Sequence, residues 1–344
     1  MSQSTKLYSV IYTTLITGLC ILFFLNLTYG AVDIPLRTVW QILMGAEGVE
    51  VKRAWVHIVR ESRLPQAITA LLTGGALAVS GLMLQTLFRN PLAGPSILGI
   101  SNGANLGVAI VMLSMGGYAI EFGGYMAVIL AAVVGAGAVM AVIIWFSARV
   151  NSNTMLLIVG IMVGYIVSSF ISVLNFQASS DKVHAFVMWG MGDFAGVSMA
   201  KLPYFVGLTI VGLMGSLLLI KPLNALLLGE KYAANLGVKI KTTRILILLC
   251  TGVLTAAATA FCGPISFIGL AVPHIARLAL RTSNHQLLLP VTILLGGGMA
   301  LLCNLLTVMP FSNQVFPLNA VTPLLGAPVI IYVIINRKNI QYFN

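Results

Sequence analysis

Charge is scarce in this chain. Of 344 residues only 8% are Asp, Glu, Lys or Arg, against 59% hydrophobic, with a mean hydropathy of +1.01. A soluble domain of this length needs far more polar surface to cover its core, so the scarcity excludes a water-soluble globule. The four cysteines, Cys20, Cys250, Cys262 and Cys303, sit in apolar stretches without metal-ligand spacing. They read as small buried hydrophobes rather than a disulfide or zinc site. His57, His184, His274 and His285 fall on separate segments and the fifteen Met are scattered, so no ligand set for haem or metal is marked. The chain also lacks GxxxxGK[ST], and no Lys directly follows a Gly. Without that phosphate-cradling loop, any ATP and Mg²⁺ that drive the protein must sit on another polypeptide.

Long apolar runs are what the chain does have. A helix crosses a bilayer with about 20 apolar residues, and the charges and turn residues predict ten such spans. They lie near 8–27, 64–88, 97–113, 123–146, 155–176, 203–220, 245–261, 265–280, 287–308 and 318–335. The third and eighth are short and are opened by Gly94-Pro95 and Gly263-Pro264, since proline is tolerated in a first helical turn. The first run follows only Lys6 and no cleavage site follows it, which predicts an uncleaved helix. The expected class is all-α and polytopic, one transmembrane domain over residues 1–344.

Placing the N-terminus in the cytoplasm assigns twelve of the nineteen basic residues and only one acid, Glu230, to the inside. Positive-inside bias then explains the net charge of +11 without nucleic acid as a partner. The span interiors carry almost no Asp, Glu or Lys, which disfavours a proton-coupled transporter. Leu72–Gly81 echoes Leu254–Gly263 five spans away. An odd offset would make the copies antiparallel, as in inverted-repeat transporters. Chance similarity of two Ala/Gly-rich helices is the competing reading.

Four features carry candidate chemistry. The inside loop Leu226–Val238 reads as a short helix ended by Gly237, with Leu228, Tyr232 and Leu236 on one face. It is either an interfacial helix on lipid or a coupling helix seated on a motor subunit. The turn Ser152-Asn153-Thr154 is either a solvated connection or a narrow gate. Arg60 and Arg63, three residues apart on one helical face, flank the outer start of span two. They would meet lipid phosphates or the acids of an external partner. Gly99-Ile-Ser-Asn-Gly103 matches the G-x-S-x-G pattern of serine hydrolases, with His274 the one histidine inside a predicted span. That rival needs a strand-turn-helix elbow and a partnered base.

Several blocks together resemble the permeases of iron-siderophore, haem and cobalamin ABC importers. These are Arg63-Leu-Pro65, Gly74–Gly81, Leu87–Ala93, Leu98–Ala104, Gly229-Glu230 with Leu236–Val238, Gly263–Arg277 and Val321–Pro328, in order over nearly the whole chain. The resemblance implies a ten-helix inner-membrane permease with both termini cytoplasmic, a transport subunit and not an enzyme. Its implied partners are a second permease copy, two cytoplasmic ATPase subunits and a periplasmic binding protein. The implied cargo is a metal chelate, an iron siderophore or haem, with cobalamin as the alternative. It makes Leu228, Glu230, Lys231, Tyr232, Ala233, Leu236 and Gly237 the ATPase-coupling residues and Ser152, Asn153 and Thr154 the cytoplasmic gate. Spans five and ten would line the pathway, and Arg60 and Arg63 would dock the binding protein. Two departures remove expected outer charge: Gln66 stands where a second Arg is usual, and Cys303–Val308 lacks the usual acid and later Arg.

Overall fold

Inside lipid every backbone polar group must be satisfied within the protein, which leaves an apolar chain of this kind helices or a closed barrel. The computed structural model is helical and describes residues 3–30, 32–45, 52–114, 117–150, 152–308 and 315–335. Glu47, Glu50, Asn151, Arg337 and Lys338 lie outside the described residues. The helices are α1 Gln3–Thr28, α2 Leu36–Met44, α3 Arg53–His57, α4 Leu64–Phe88, α5 Ile100–Ala109, α6 Gly117–Arg149, α7 Asn153–Gln177 and α8 Ser180–Gly190. They continue as α9 Leu202–Leu218, α10 Ile220–Leu227, α11 Glu230–Asn235, α12 Ile240–Cys262, α13 Ile268–Leu280, α14 His285–Thr307 and α15 Leu318–Ile335.

Among the described residues seven helices are long and apolar enough to cross a membrane, and α9 with α10, bent by 51°, makes an eighth. The two remaining expected spans are the shorter apolar helices Ile100–Ser114 and Ile268–Leu280, as their Gly-Pro openings foretold. Pro65 lies inside the continuous helical run Arg53–Phe88 without breaking it, directly after the π-turn Ile58–Arg63, where the regular i→i−4 bonding has already lapsed.

Burial ranks the spans. α4 and α12 form the centre, with 83% and 72% of their apolar windows buried; α1, α7 and α15 face outward at 11%, 22% and 28%. In lipid there is no hydrophobic drive between helices, so close backbone approach has to hold the centre together. Gly81 of α4 packs on the carbonyl of Gly269 in α13, and Gly74 packs reciprocally against Gly296 in α14.

The sequence echo is an inverted repeat. α4 packs on α13 and α14, as α12 packs on α5 and α6; α5 meets α7 as α13 meets α15. The side chains repeat the exchange. Thr73 Oγ1 meets Cys262 Sγ at 3.3 Å, and Ser80 Oγ meets Thr255 Oγ1 at 3.1 Å. Laying Leu72 on Leu254 puts Thr73 on Thr255 and Ser80 on Cys262, so each clasp maps onto the other. That is the signature of a two-fold axis between antiparallel copies.

Candidate functional site

The described basic residues gather mostly at one end of the bundle, where α4 and α6 finish and α7, α12 and α14 begin. The 226–238 segment lies there but is not one helix. α10 ends at Leu227, the chain turns through Gly229 at φ 103° and ψ 155°, and α11 starts at Glu230. That backbone region is open essentially to glycine alone, so Gly229 breaks the expected helix. α11 closes as expected: Gly237 at φ 85° lets its N–H reach Ala234 O at 2.9 Å while Val238 N–H reaches Ala233 O at 3.0 Å. This pair of bonds is the Schellman pattern.

Leu228, Tyr232 and Leu236 are 55%, 68% and 65% exposed, and Lys231 is exposed beside them. Ala233 differs from the other expected coupling residues. It is fully buried and anchors α11 to the bundle, which corrects its assignment as a contact residue. Glu230 turns back toward the bundle. Its Oε1 accepts from Asn153 Nδ2 at 2.7 Å and from Arg244 Nη2 at 3.2 Å. Asn153 Nδ2 also donates to Leu87 O at 2.6 Å, and Arg244 Nη1 donates to Val150 O at 2.8 Å.

The expected coupling and gate segments therefore touch. Ser152 caps α7 by accepting the Met155 N–H at 3.4 Å, and exposed Thr154 borders a 270 Å³ recess with Phe88–Leu92 and Leu157. Sequence reading missed Arg244, which is only 4% exposed. The available signal was its position fourteen residues after the single inside acid, in the first turn of a span.

At the opposite, acidic end the expected docking pair divides. Residues Ile58–Arg63 wind as a π-turn, whose i→i+5 bonding spreads residues more widely round the axis than an α-helix does. Arg60 stays exposed and donates to Ile42 O at 2.8 Å. Arg63 is 6% exposed, and its guanidinium donates to Leu27 O at 3.0 Å, Thr28 O at 2.6 Å and Val32 O. It closes the C-terminus of α1, where carbonyls lack helical partners, and so cannot present itself to an outside partner. Arg63→Met should cost roughly 3 kcal/mol through orphaned carbonyls. A thermal melt in detergent checks this, with Arg63→Lys keeping part of the loss in hand.

A cavity of about 1170 Å³ opens at the same end between the ends of α1, α4, α8, α14 and α15. On its wall Gln66 Nε2 donates to Asn304 Oδ1 at 3.1 Å, and Asn304 Nδ2 donates to Asn26 Oδ1 at 2.7 Å. Asn319 at the start of α15 donates to Gly190 O at 3.2 Å and to Pro264 O at 2.5 Å, tying α8 to the α12–α13 break.

The hydrolase constellation is not assembled. Ser101 Oγ receives Thr259 Oγ1 at 3.5 Å, while His274 Nε2 bonds Pro91 O at 2.8 Å. Gly103 of the motif serves packing, with the Gly135 carbonyl 2.5 Å from where a Cβ would sit.

Residues 18–336 match the model of the FecCD transport family. The chain is 36% identical over 280 residues to the vitamin B12 import system permease protein BtuC of Klebsiella pneumoniae, covering 80% of this chain and 82% of that one. It is 33% identical over 323 residues to the uncharacterized ABC transporter permease protein YvrB of Bacillus subtilis, covering 91% and 90%. Among solved structures it is similar to a metal-chelate type ABC transporter in an inward-facing conformation, with TM-score 0.82, 28% identity and coverage of 95% and 99%.

Proposed function

The chain belongs to the FecCD transport family, as an ABC importer permease and not an enzyme, and from that premise we propose how it works and what it carries. Two copies lie side by side in the cytoplasmic membrane, each a single transmembrane domain with both termini inside. The basic end faces the cytoplasm. Two ATPase subunits hold ATP and Mg²⁺ there and receive Leu228, Lys231, Tyr232 and Leu236, while a periplasmic binding protein delivers the cargo at the acidic end, contacting Arg60.

The observation that carries this reading is the exposed apolar cluster of Tyr232 on α11 with Leu228 and Leu236 flanking it, backed by Glu230 reaching the Ser152–Thr154 turn. On a solvated surface three large apolar residues exposed within nine positions of chain mark a docking site. The pathway runs between the copies along α7 and α15. On α7 Ser168, Ser169 and Ser172 face outward, with Ser169 Oγ on Tyr165 O and Ser172 Oγ on Ser168 O, both at 3.0 Å. Hydroxyls satisfied by their own helix offer a bulky solute weak contacts that it can leave quickly. ATP binding would tilt the copies against each other, opening the outer mouth and the Ser152–Thr154 constriction in turn. Cargo can bias these states only by its differential affinity for them.

The cargo is a metal chelate. An iron siderophore or haem is the first reading, and the likeness to vitamin B12 permeases favours cobalamin as the second. Titrating the cognate binding protein with a ferric siderophore, haem and cyanocobalamin separates them. Proteoliposomes holding the chain, its ATPase and that binding protein should then import the retained chelate only with internal ATP. ATP-independent import by the chain alone would overturn the reading. In the same vesicles Arg60→Ala should weaken binding-protein docking by roughly threefold, as for an exposed ion pair, and cost no more stability than its one bond to Ile42 O, about 1 kcal/mol.

A further inference from the structure

By sequence Glu230 alone among the eight acids falls at the basic end, and one of its oxygens joins three parts of the fold. Through Asn153 it reaches the start of α7 and the end of α4; through Arg244 it reaches the start of α12 and the end of α6. α11 is a six-residue helix that packs on its neighbours α10 and α12. Its exposed face is given over to a partner, so a force applied there passes along the chain and through buried Ala233 to α10 and α12, and through Glu230 to the start of α7. Resting on the permease reading above, we propose that Glu230, Arg244 and Asn153 form a rigid strut that makes the Ser152–Thr154 turn move with α11.

Three features suit the trio to this role. The Glu230–Asn153 bond has a charged acceptor and is therefore stronger than a neutral one. Arg244 is buried and cannot exchange its carboxylate for water without a large desolvation cost, so it follows Glu230 rather than releasing it. Asn153 sits within the turn itself, next to the capping Ser152 and exposed Thr154. Displacement of α11 thus reaches the constriction through one hydrogen bond, Asn153 Nδ2 to Glu230 Oε1, and no intervening flexible segment. Asn153 and Arg244 act as positioning residues; neither needs to touch the cargo.

The test reads the gate itself. In the reconstituted complex carrying Thr154→Cys, the rate of labelling by a charged maleimide is compared between the nucleotide-free and vanadate-trapped states. The parent complex should show about a tenfold difference. In Asn153→Ala and in Glu230→Ala, which removes the shared acceptor oxygen, that difference should fall below about twofold, with ATP hydrolysis kept within about twofold, because contacting groups in one network lose coupling without losing every other function. A role confined to helix capping would lower assembly and hydrolysis together and leave the difference intact per assembled complex. Persistence of the tenfold difference in both variants overturns the strut. If Asn153→Ala does not assemble, Glu230→Ala, at a carboxylate 36% exposed, decides alone. A parent complex with no ATP hydrolysis would instead overturn the permease reading, and the strut with it.

Discussion

Gly81→Ala is expected to destabilise the detergent-solubilised chain by about 3 kcal/mol or more, above the ordinary range for overpacking. A methyl at Gly81 would overlap the backbone carbonyl of Gly269; the usual helical donor to that carbonyl is replaced by Pro273, but a backbone oxygen still moves only with the α13 backbone and cannot swing aside as a side-chain tip can. α4 and α13 would have to separate, and the reciprocal Gly74–Gly296 contact with α14 would open with them. Association of helices in lipid depends on such close approach, so the centre has nothing else of equal strength to fall back on. The control is Gly207→Ala on α9, where a Cβ meets nothing within 4 Å. There the gain in helix propensity should leave the protein unchanged or slightly more stable, by up to about 1 kcal/mol. Melting of the two variants beside the parent, followed by size-exclusion chromatography, measures both. An unshifted Gly81→Ala melt would mean that the α4–α13 approach is looser than described.

The spans were legible because hydropathy is a one-dimensional signal, and lipid permits few structures other than helices along such runs. The inverted repeat was half legible: the Leu72–Gly81 echo was visible, but only the exchange of the Thr73–Cys262 and Ser80–Thr255 clasps separates it from chance. Surface helices were missed. α2 buries Val39 and Ile42 and exposes Leu36, Trp40 and Met44, so it is apolar on two faces and too short to register as a span. Arg63 misled for a related reason. Charges are nearly always solvated, and nothing local in the sequence tells that the end of α1 needs a donor from α4. The break at Gly229 was also hidden, since a single glycine is compatible with a continuing helix until its φ is known.

Gln66 and Asn304 show what a linear reading loses. Along the chain they were two separate departures from expected charge, 238 positions apart. In space they are one hydrogen-bonded pair at 3.1 Å on the wall of the acidic-end cavity. A neutral amide pair there avoids the desolvation cost that a partly buried ion pair would carry. The same reasoning applies at the basic end, where Arg244 and Glu230 stand fourteen positions apart and are each other's complement.

Gly237→Pro should reduce ATP-driven import by about a hundredfold or more, the scale of losing a hot-spot contact. Proline fixes φ near −65° and has no N–H, whereas Gly237 sits at φ 85° and donates to Ala234 O at 2.9 Å. Both the turn and its bond are removed, and Leu236, next in the chain and 65% exposed, is carried out of line with Tyr232 and Leu228. The bundle itself should survive, because nothing lies within 4 Å of a Cβ at Gly237 and the residue is exposed. Melting temperature should accordingly move little while co-purification with the ATPase is lost. Gly237→Ala separates backbone strain from deletion of the cap. It retains the N–H and pays only the left-handed penalty, about 1–2 kcal/mol, so import should fall far less. Should Gly237→Pro still bind its ATPase and import at the parent rate, the motor must grip some surface other than α11, and the face formed by Leu228, Tyr232 and Leu236 would then belong to lipid.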